Sequence, residues 1–425
     1  MKKFFLYFLG IIFVFLLILM LYLAKFADQP IDDFSDLEPV LTEVPQEENG
    51  FPLLIAELNT LSIIPEYEEL TNGMGTKTEY ILAFEKLYKS NPQSLERISQ
   101  AIAKPYIQEP VSFDMAIEYL SMNLIYLSKI LSARIHYHQA NQQPVEALET
   151  YNKLKSLSVK YTKSDGAIVI HIIATHLLKQ LQVEQFHLLT HGTLDSEHLF
   201  EDAYFTELLT TSYTNTINCE CRWINSALDN ISGDPGGQLT KFSSNGIAQA
   251  FFYQPNKTKN TSTEILRLTK QLPASDYSQR KVIGKKISDL LPKKNTFILS
   301  GNYIGNEIIA QGGGGYDRFE SNFTILILKN RTLNLLLSLR SYSSDHANKL
   351  PDNLADLVPQ YIASIPLDPF TDKPLLYSKK KKLIWSLGSD LHDNLGVSAE
   401  TLIADERDPL KTLTFEDEPH LAIPF

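Results

Sequence analysis

Residues 113–162 read FDMAIEYLSMNLIYLSKILSARIHYHQANQQPVEALETYNKLKSLSVKYT. In the first half Ile117, Leu120, Leu124, Leu127, Leu131 and Ile135 recur at spacings of three and four, the period of an apolar stripe on a helix. The stripe predicts a helix from about Phe113 to Gln139. Asn141-Gln142-Gln143 breaks it. Pro144 then stands at a first helical position, where its missing N–H costs nothing. The next helix carries Leu148, Tyr151, Leu154, Leu157 and Tyr161 on one face. Two facing stripes joined by so short a turn predict an antiparallel αα-hairpin.

Outward from the hairpin the same text repeats, helix after helix. Further helices are expected at about Ala167–Thr190, Ser196–Tyr213, Ile217–Asn230, Thr263–Gln271 and Asp276–Leu291. Gly192 marks a stop, and Asp195 or Ser196 the cap of the next helix. Strand alternation is hardly visible before residue 340, so the fold class is mainly α. The run Gly312–Gly315 lacks the Gly-Lys-Ser/Thr of a phosphate-cradling loop and reads as a connector into a helix beginning near Asn322. At 425 residues the chain is long enough for two or three units. A hydrophobic content of 44% with 21% charged residues excludes wholesale disorder. The net charge of -11 argues against a nucleic-acid partner, whose phosphates require clustered Lys and Arg.

At the amino terminus Phe4 to Ala24 is uncharged. At ~1.5 Å per residue such a helix spans roughly 30 Å, the thickness of a bilayer's hydrocarbon core. A cleaved signal would have a shorter apolar region and small residues at the cut, whereas a cut after Ala27 would put Lys25 three positions back. Lys2 and Lys3 precede the span and Asp28, Asp32, Asp33, Asp36 and Glu38 follow it. This predicts a single-pass anchor in the inner (cytoplasmic) membrane with its amino terminus in the cytoplasm and the bulk of the chain periplasmic. The domain expectation is therefore an anchor at 1–27, an acidic solvated tether at 28–75, a helical domain at 76–310 and a carboxyl-terminal module at 316–425.

Side chains able to carry chemistry are scattered. His171, His176, His187, His191 and His198 crowd one region, with His136 and His138 on the hairpin, and His187 and His191 share the i,i+4 spacing of a metal-ligating pair. No carboxylate lies between those two to serve as a base, and His191 also suits a helix carboxyl terminus. Ser386-Leu387-Gly388-Ser389 lacks the second glycine of a nucleophile elbow. Cys219 and Cys221 lie too close in sequence for a useful staple and lack the second cysteine pair of a zinc site. No catalytic set emerges. Lys379–Lys382, between apolar stretches ending at Tyr377 and starting at Leu383, reads as a hairpin turn.

Two resemblances add to this. HQANQQPVEALETYNKLKSL resembles the junction of a tetratricopeptide-type repeat, but no sibling recurs at a period of about 34 residues. The stretch from Thr332 carries Tyr342, Asp345, Leu350-Pro351, Leu354, Leu357-Val358-Pro359, Tyr361, Ile365-Pro366, Asp368-Pro369-Phe370, Pro374, Tyr377, Trp385-Ser386-Leu387-Gly388 and Asp390. In that order the motifs, over about 60 residues, resemble the soluble region of the major pseudopilin of type II secretion systems. The resemblance implies a small α+β module and calcium held by the carbonyl of Leu387 and the carboxylates of Asp390 and Asp393. The family's amino-terminal pattern is not reproduced, since Ile11 follows Gly10 and Phe15 stands where the family carries Glu. The remainder resembles uncharacterised membrane-anchored helical envelope proteins of bacteria. Together these point to a non-enzymatic interaction or scaffold protein of the cell envelope with an envelope protein as partner. The alternatives are an accessory component of a type II secretion or pilus-like system, and a membrane-anchored metal-dependent hydrolase built on the histidines.

Overall fold

The computed structural model describes residues 12–16, 28–72, 77–113, 122–233, 253–292, 302–313, 316–388, 391, 393 and 420–422. Helices dominate, with a few short strands near the carboxyl terminus. The first twelve long helices after the amino-terminal stretch are α1 (Phe51–Leu61), α2 (Pro65–Asn72), α3 (Lys77–Ser90), α4 (Pro92–Ala103), α5 (Met122–Ala140), α6 (Pro144–Thr162), α7 (Ile168–Thr190), α8 (Asp202–Gly233), α9 (Pro255–Gln271), α10 (Tyr277–Leu290), α11 (Tyr303–Gly313) and α12 (Tyr316–Asp345).

The hairpin is α5 and α6. The turn places Gln142 in the left-handed region at φ 57°, and Pro144 opens α6. Leu124, Leu127, Leu131 and Ile135 from one helix and Tyr151, Leu154, Leu157 and Tyr161 from the other are buried, as their spacing requires. Ile117 and Leu120, the first members of the stripe, lie outside the described residues. Helix α7 packs on both, closing a three-helix layer. It stops at Gly192, whose φ of 76° an L side chain rarely adopts. The amides of Gly192 and Thr193 return to the carbonyls of Leu189 and Leu188 at 3.1 and 3.0 Å.

Four expectations differ. The two helices expected between Ser196 and Asn230 are one: Ser196–His198 is a single 3-10 turn, and α8 runs unbroken from Asp202 to Gly233. None of the residues Thr214–Thr216 between them is Gly or Pro, and packing against α9 carries the helix through. The helix expected from Thr263 begins at Pro255, and that expected near Asn322 begins at Tyr316. The acidic tether is the largest correction. Residues 51–72 form α1 and α2, with Phe51, Leu54, Leu58, Leu61 and Leu70 buried. Asp28–Glu38 lies against α9, with Leu37 buried at 1% exposure. Solvated charges at Asp32, Asp33 and Asp36 mask an apolar residue, Leu37, that has a pocket to enter.

At the carboxyl end, β1 (Leu367–Asp368) pairs antiparallel with β2 (Lys373–Pro374). Strands β3 (Leu376–Ser378), β4 (Leu383–Trp385) and β5 (His420–Ala422) form an antiparallel sheet with Leu376 opposite Trp385 and Ile384 opposite Leu421. The lysine run 379–382 is the β3–β4 turn, with Lys382 at φ 51°. The buried core is continuous from Leu37 through the helices to Leu357, Phe370, Leu375 and Ile384 of this module, and α12 bridges the two. Among the described residues no helix is long and apolar enough to cross a membrane. Most of the stretch 4–24 lies outside them. Residues 12–16 are helical, and Ile12, Phe13, Val14, Phe15 and Leu16 are exposed.

Candidate functional site

One side of α6 and the segment entering α8 enclose an open groove of about 580 Å³. Val159, Leu199, Phe200 and Tyr204 give it an apolar lining, and Asn152, Lys155, Ser156 and Glu201 its polar edges. Helical spacing supplies the α6 side, because residues 152, 155, 156 and 159 share one face. Phe200 is braced by Phe205 at a ring-centroid distance of 5.1 Å and by Tyr204 at 6.1 Å, and Tyr204 remains 43% exposed. Lys155 Nζ sits 4.8 Å over the Phe200 ring and donates to the carbonyl of His198 at 2.8 Å. Burial holds the Lys155 ammonium below its ordinary pKa. Tyr151 OH donates to the same carbonyl at 2.8 Å and accepts from Gln185 Nε2 at 3.0 Å, and desolvation pushes its phenol up. The turn at His198 is thus fixed from beneath by two side chains of α6.

On that turn the ligand atoms of Asp195, Glu197 and His198 lie within 4.8 Å of one another, and His198 Nδ1 is 2.5 Å from Asp195 Oδ1. Among the described residues this is the one His and carboxylate group with such spacing. Asp195, expected with Ser196 as alternative caps of the next helix, stands at the cap position of the single 3-10 turn Ser196–His198. His198 follows it by three residues, and that spacing was the available signal.

The histidine pair with metal-ligand spacing, His187 and His191, makes other contacts. His187 Nε2 is hydrogen-bonded to Gln139 Oε1, and His191 Nδ1 donates to the carbonyl of His187 at 2.8 Å. The His187 and His191 rings meet at a tilt of 53° with centroids 4.3 Å apart, and His136 meets His187 at 54° and the same distance. His136 Nε2 lies 3.5 Å from the fully buried Glu184 carboxylate. Nearby, Gln180 Nε2 donates to Ser132 Oγ at 2.8 Å and to Glu184 Oε1 at 3.3 Å. These groups form a polar seam inside the α5–α7 layer. His171 meets Ser212 Oγ at 3.2 Å and burial lowers its pKa to about 3; His176 falls to about 4 by burial and by Lys129 and Lys179 nearby. Both are neutral packing residues at neutral pH.

In the carboxyl-terminal module Asp368, 2% exposed, accepts from Ser386 Oγ at 2.9 Å, the Leu387 amide at 3.3 Å and the Phe370 amide at 2.9 Å. Of the residues implied for calcium, Leu387 is half-buried, Asp393 is exposed and accepts from Trp385 Nε1 at 3.1 Å, and Asp390 lies outside the described residues. Asp393 Oδ1 therefore serves the indole in this arrangement. Cys219 and Cys221 are buried thiols on α8, not bonded to each other. Desolvation pushes Cys219 up to about 12 and raises Cys221, which suits packing better than nucleophilic chemistry. Comparison with family models, with curated proteins and with solved structures finds no match to this chain.

Proposed function

We propose that this chain is a membrane-anchored, extracytoplasmic helical protein that docks a protein partner of the cell envelope along the groove between Val159 and Tyr204, without chemistry of its own. The groove carries the reading. Its aromatic bank is stiffened by stacked rings, it is open along one side, and the exposed Tyr204 offers an amphipathic anchor of the kind that dominates protein contacts. His136, His171, His176 and His187 are employed in helix packing, which favours binding over catalysis. The uncharged run 4–24 would hold the protein in the inner membrane, and the exposed apolar side chains of 12–16 support that role.

The test is site-specific photo-crosslinking in intact cells with a photoreactive residue at Tyr204 or Val159. A single discrete adduct from both sites, lost on Phe200→Ala and absent from a probe at Ile63, is expected. No adduct, or the same adducts from Ile63, would overturn the reading. A second reading, an accessory role in a type II secretion or pilus-like system, draws on α12 and the β3–β4 hairpin, the part that resembles a pseudopilin. Unchanged secretion in a deletion strain would end it.

A further inference from the structure

We propose that the folded body sits directly on the bilayer headgroups through the amino-terminal end of α9, clamped there by the strap Asp28–Glu38. The inference rests on the anchor reading of residues 4–24. It goes beyond that reading by naming which end of the body meets the lipid surface.

The covalent distance is short. From Ala24, the last residue of the uncharged run, to Asp28 there are four residues, a reach of at most ~14 Å. The headgroup layer alone is roughly 5–8 Å deep. Asp28 is already fastened to the body: its carboxylate accepts from the amides of Asn256 and Lys257 at 2.8 and 3.0 Å, the first turn of α9. The next contacts climb the same helix. Asn256 Nδ2 donates to the Gln29 carbonyl at 2.9 Å, and Asn260 bonds the Pro30 carbonyl and the Asp32 amide at 2.9 and 3.0 Å. Arg267 closes the strap with two bonds of 2.8 Å to the Asp36 carboxylate and one of 3.1 Å to the Asp33 carbonyl, while Lys270 takes the Asp36 carbonyl at 2.9 Å. Strap and helix run the same way, so α9 points its amino terminus at the membrane and its carboxyl terminus away.

Two neighbours share that end. Lys259 pairs with Asp229 at 2.5 Å and Cys221 Sγ lies 3.9 Å from Thr263 Oγ1, so α8 is antiparallel to α9 and finishes beside its start. Asn302, just before α11, accepts from the Gln254 amide at 2.8 Å. A solvated tether over 28–75 would let the body wander by roughly 40 Å. The clamp replaces that freedom with one orientation.

The experiment uses the full-length protein in phosphatidylcholine vesicles containing nitroxide-headgroup lipid. A fluorophore is attached to Lys257→Cys or, ~21 Å further along the helix, to Gln271→Cys. The native thiols are buried and stay unlabelled. Strong quenching at 257 and weak quenching at 271 are expected. Inserting about twelve Gly and Ser residues between Ala27 and Asp28, which leaves every strap contact intact, should abolish the quenching at 257. Equal quenching at both sites, or quenching at 257 that survives the insertion, would overturn the clamp while leaving the anchor standing. Protein that floats free of the vesicles would overturn both.

Discussion

Tyr151 combines a helical packing position with a polar duty that no spacing rule announces. Its ring is fully buried between α6 and α7, and its hydroxyl holds the His198 carbonyl that Lys155 also holds. Tyr151→Phe should cost about 1 kcal/mol, because Lys155 keeps the carbonyl satisfied while Gln185 Nε2 loses its acceptor. Urea unfolding of the anchorless protein measures this; a loss under a few tenths would show the bond to be inert. The buried imidazoles make a second residue-scale prediction. His171 and His176 stay neutral in the fold at pH values where the unfolded chain, titrating near 6.5, takes up protons. The unfolded state then binds more protons than the native state, so stability is full above pH 6.5 and falls as pH drops toward 4 and 3. Each buried imidazole contributes up to ~2 kcal/mol between pH 6.5 and 5. His171→Phe should flatten the measured pH dependence in that window; an unchanged slope would contradict the neutral assignment.

Among the helices, ends rather than middles decided where the sequence was legible. Asp276 caps α10 with Gln279 three residues on, a local capping box, and the expected start was within one residue. Helix α9 starts eight residues earlier than its apolar period implied because its cap, Asp28, is remote in the chain. Helix α7 is likewise opened by Glu220 Oε2, which accepts from the Ile168 amide at 3.0 Å. Burial raises the pKa of that carboxyl. Asp28→Ala should cost about 1 kcal/mol, as loss of a cap does, and should speed hydrogen exchange at the Asn256 and Lys257 amides before any others. At the other end of α7, Gly192→Ala combines a left-handed backbone with a Cβ 2.8 Å from Arg340 Nη2, whose side chain can shift. A cost of about 1–2 kcal/mol in thermal unfolding is expected, and no cost would mean the turn relaxes freely.

For the whole molecule the decisive fact is one continuous core. Leu357, Phe370, Leu375 and Ile384 of the carboxyl-terminal module join the cluster that includes Leu326, Leu336 and Leu339 of α12 and Leu177 and Leu181 of α7. The described body should therefore unfold as a unit. Ile384→Ala, which empties a fully buried site, should lower the whole transition by about 3 kcal/mol without splitting it. Two separate calorimetric transitions would show the module to be independent. By itself the sequence determined the helical class, the α5–α6 hairpin, the Gly192 stop and the lysine turn, because each follows from periodicity or from a residue's own backbone preference. The docked strap, the unbroken α8 and the groove beneath Tyr204 were decided only by tertiary structure. Each depends on partners tens to hundreds of residues away, and a charge or a cap cannot declare from its own neighbourhood which distant group will meet it.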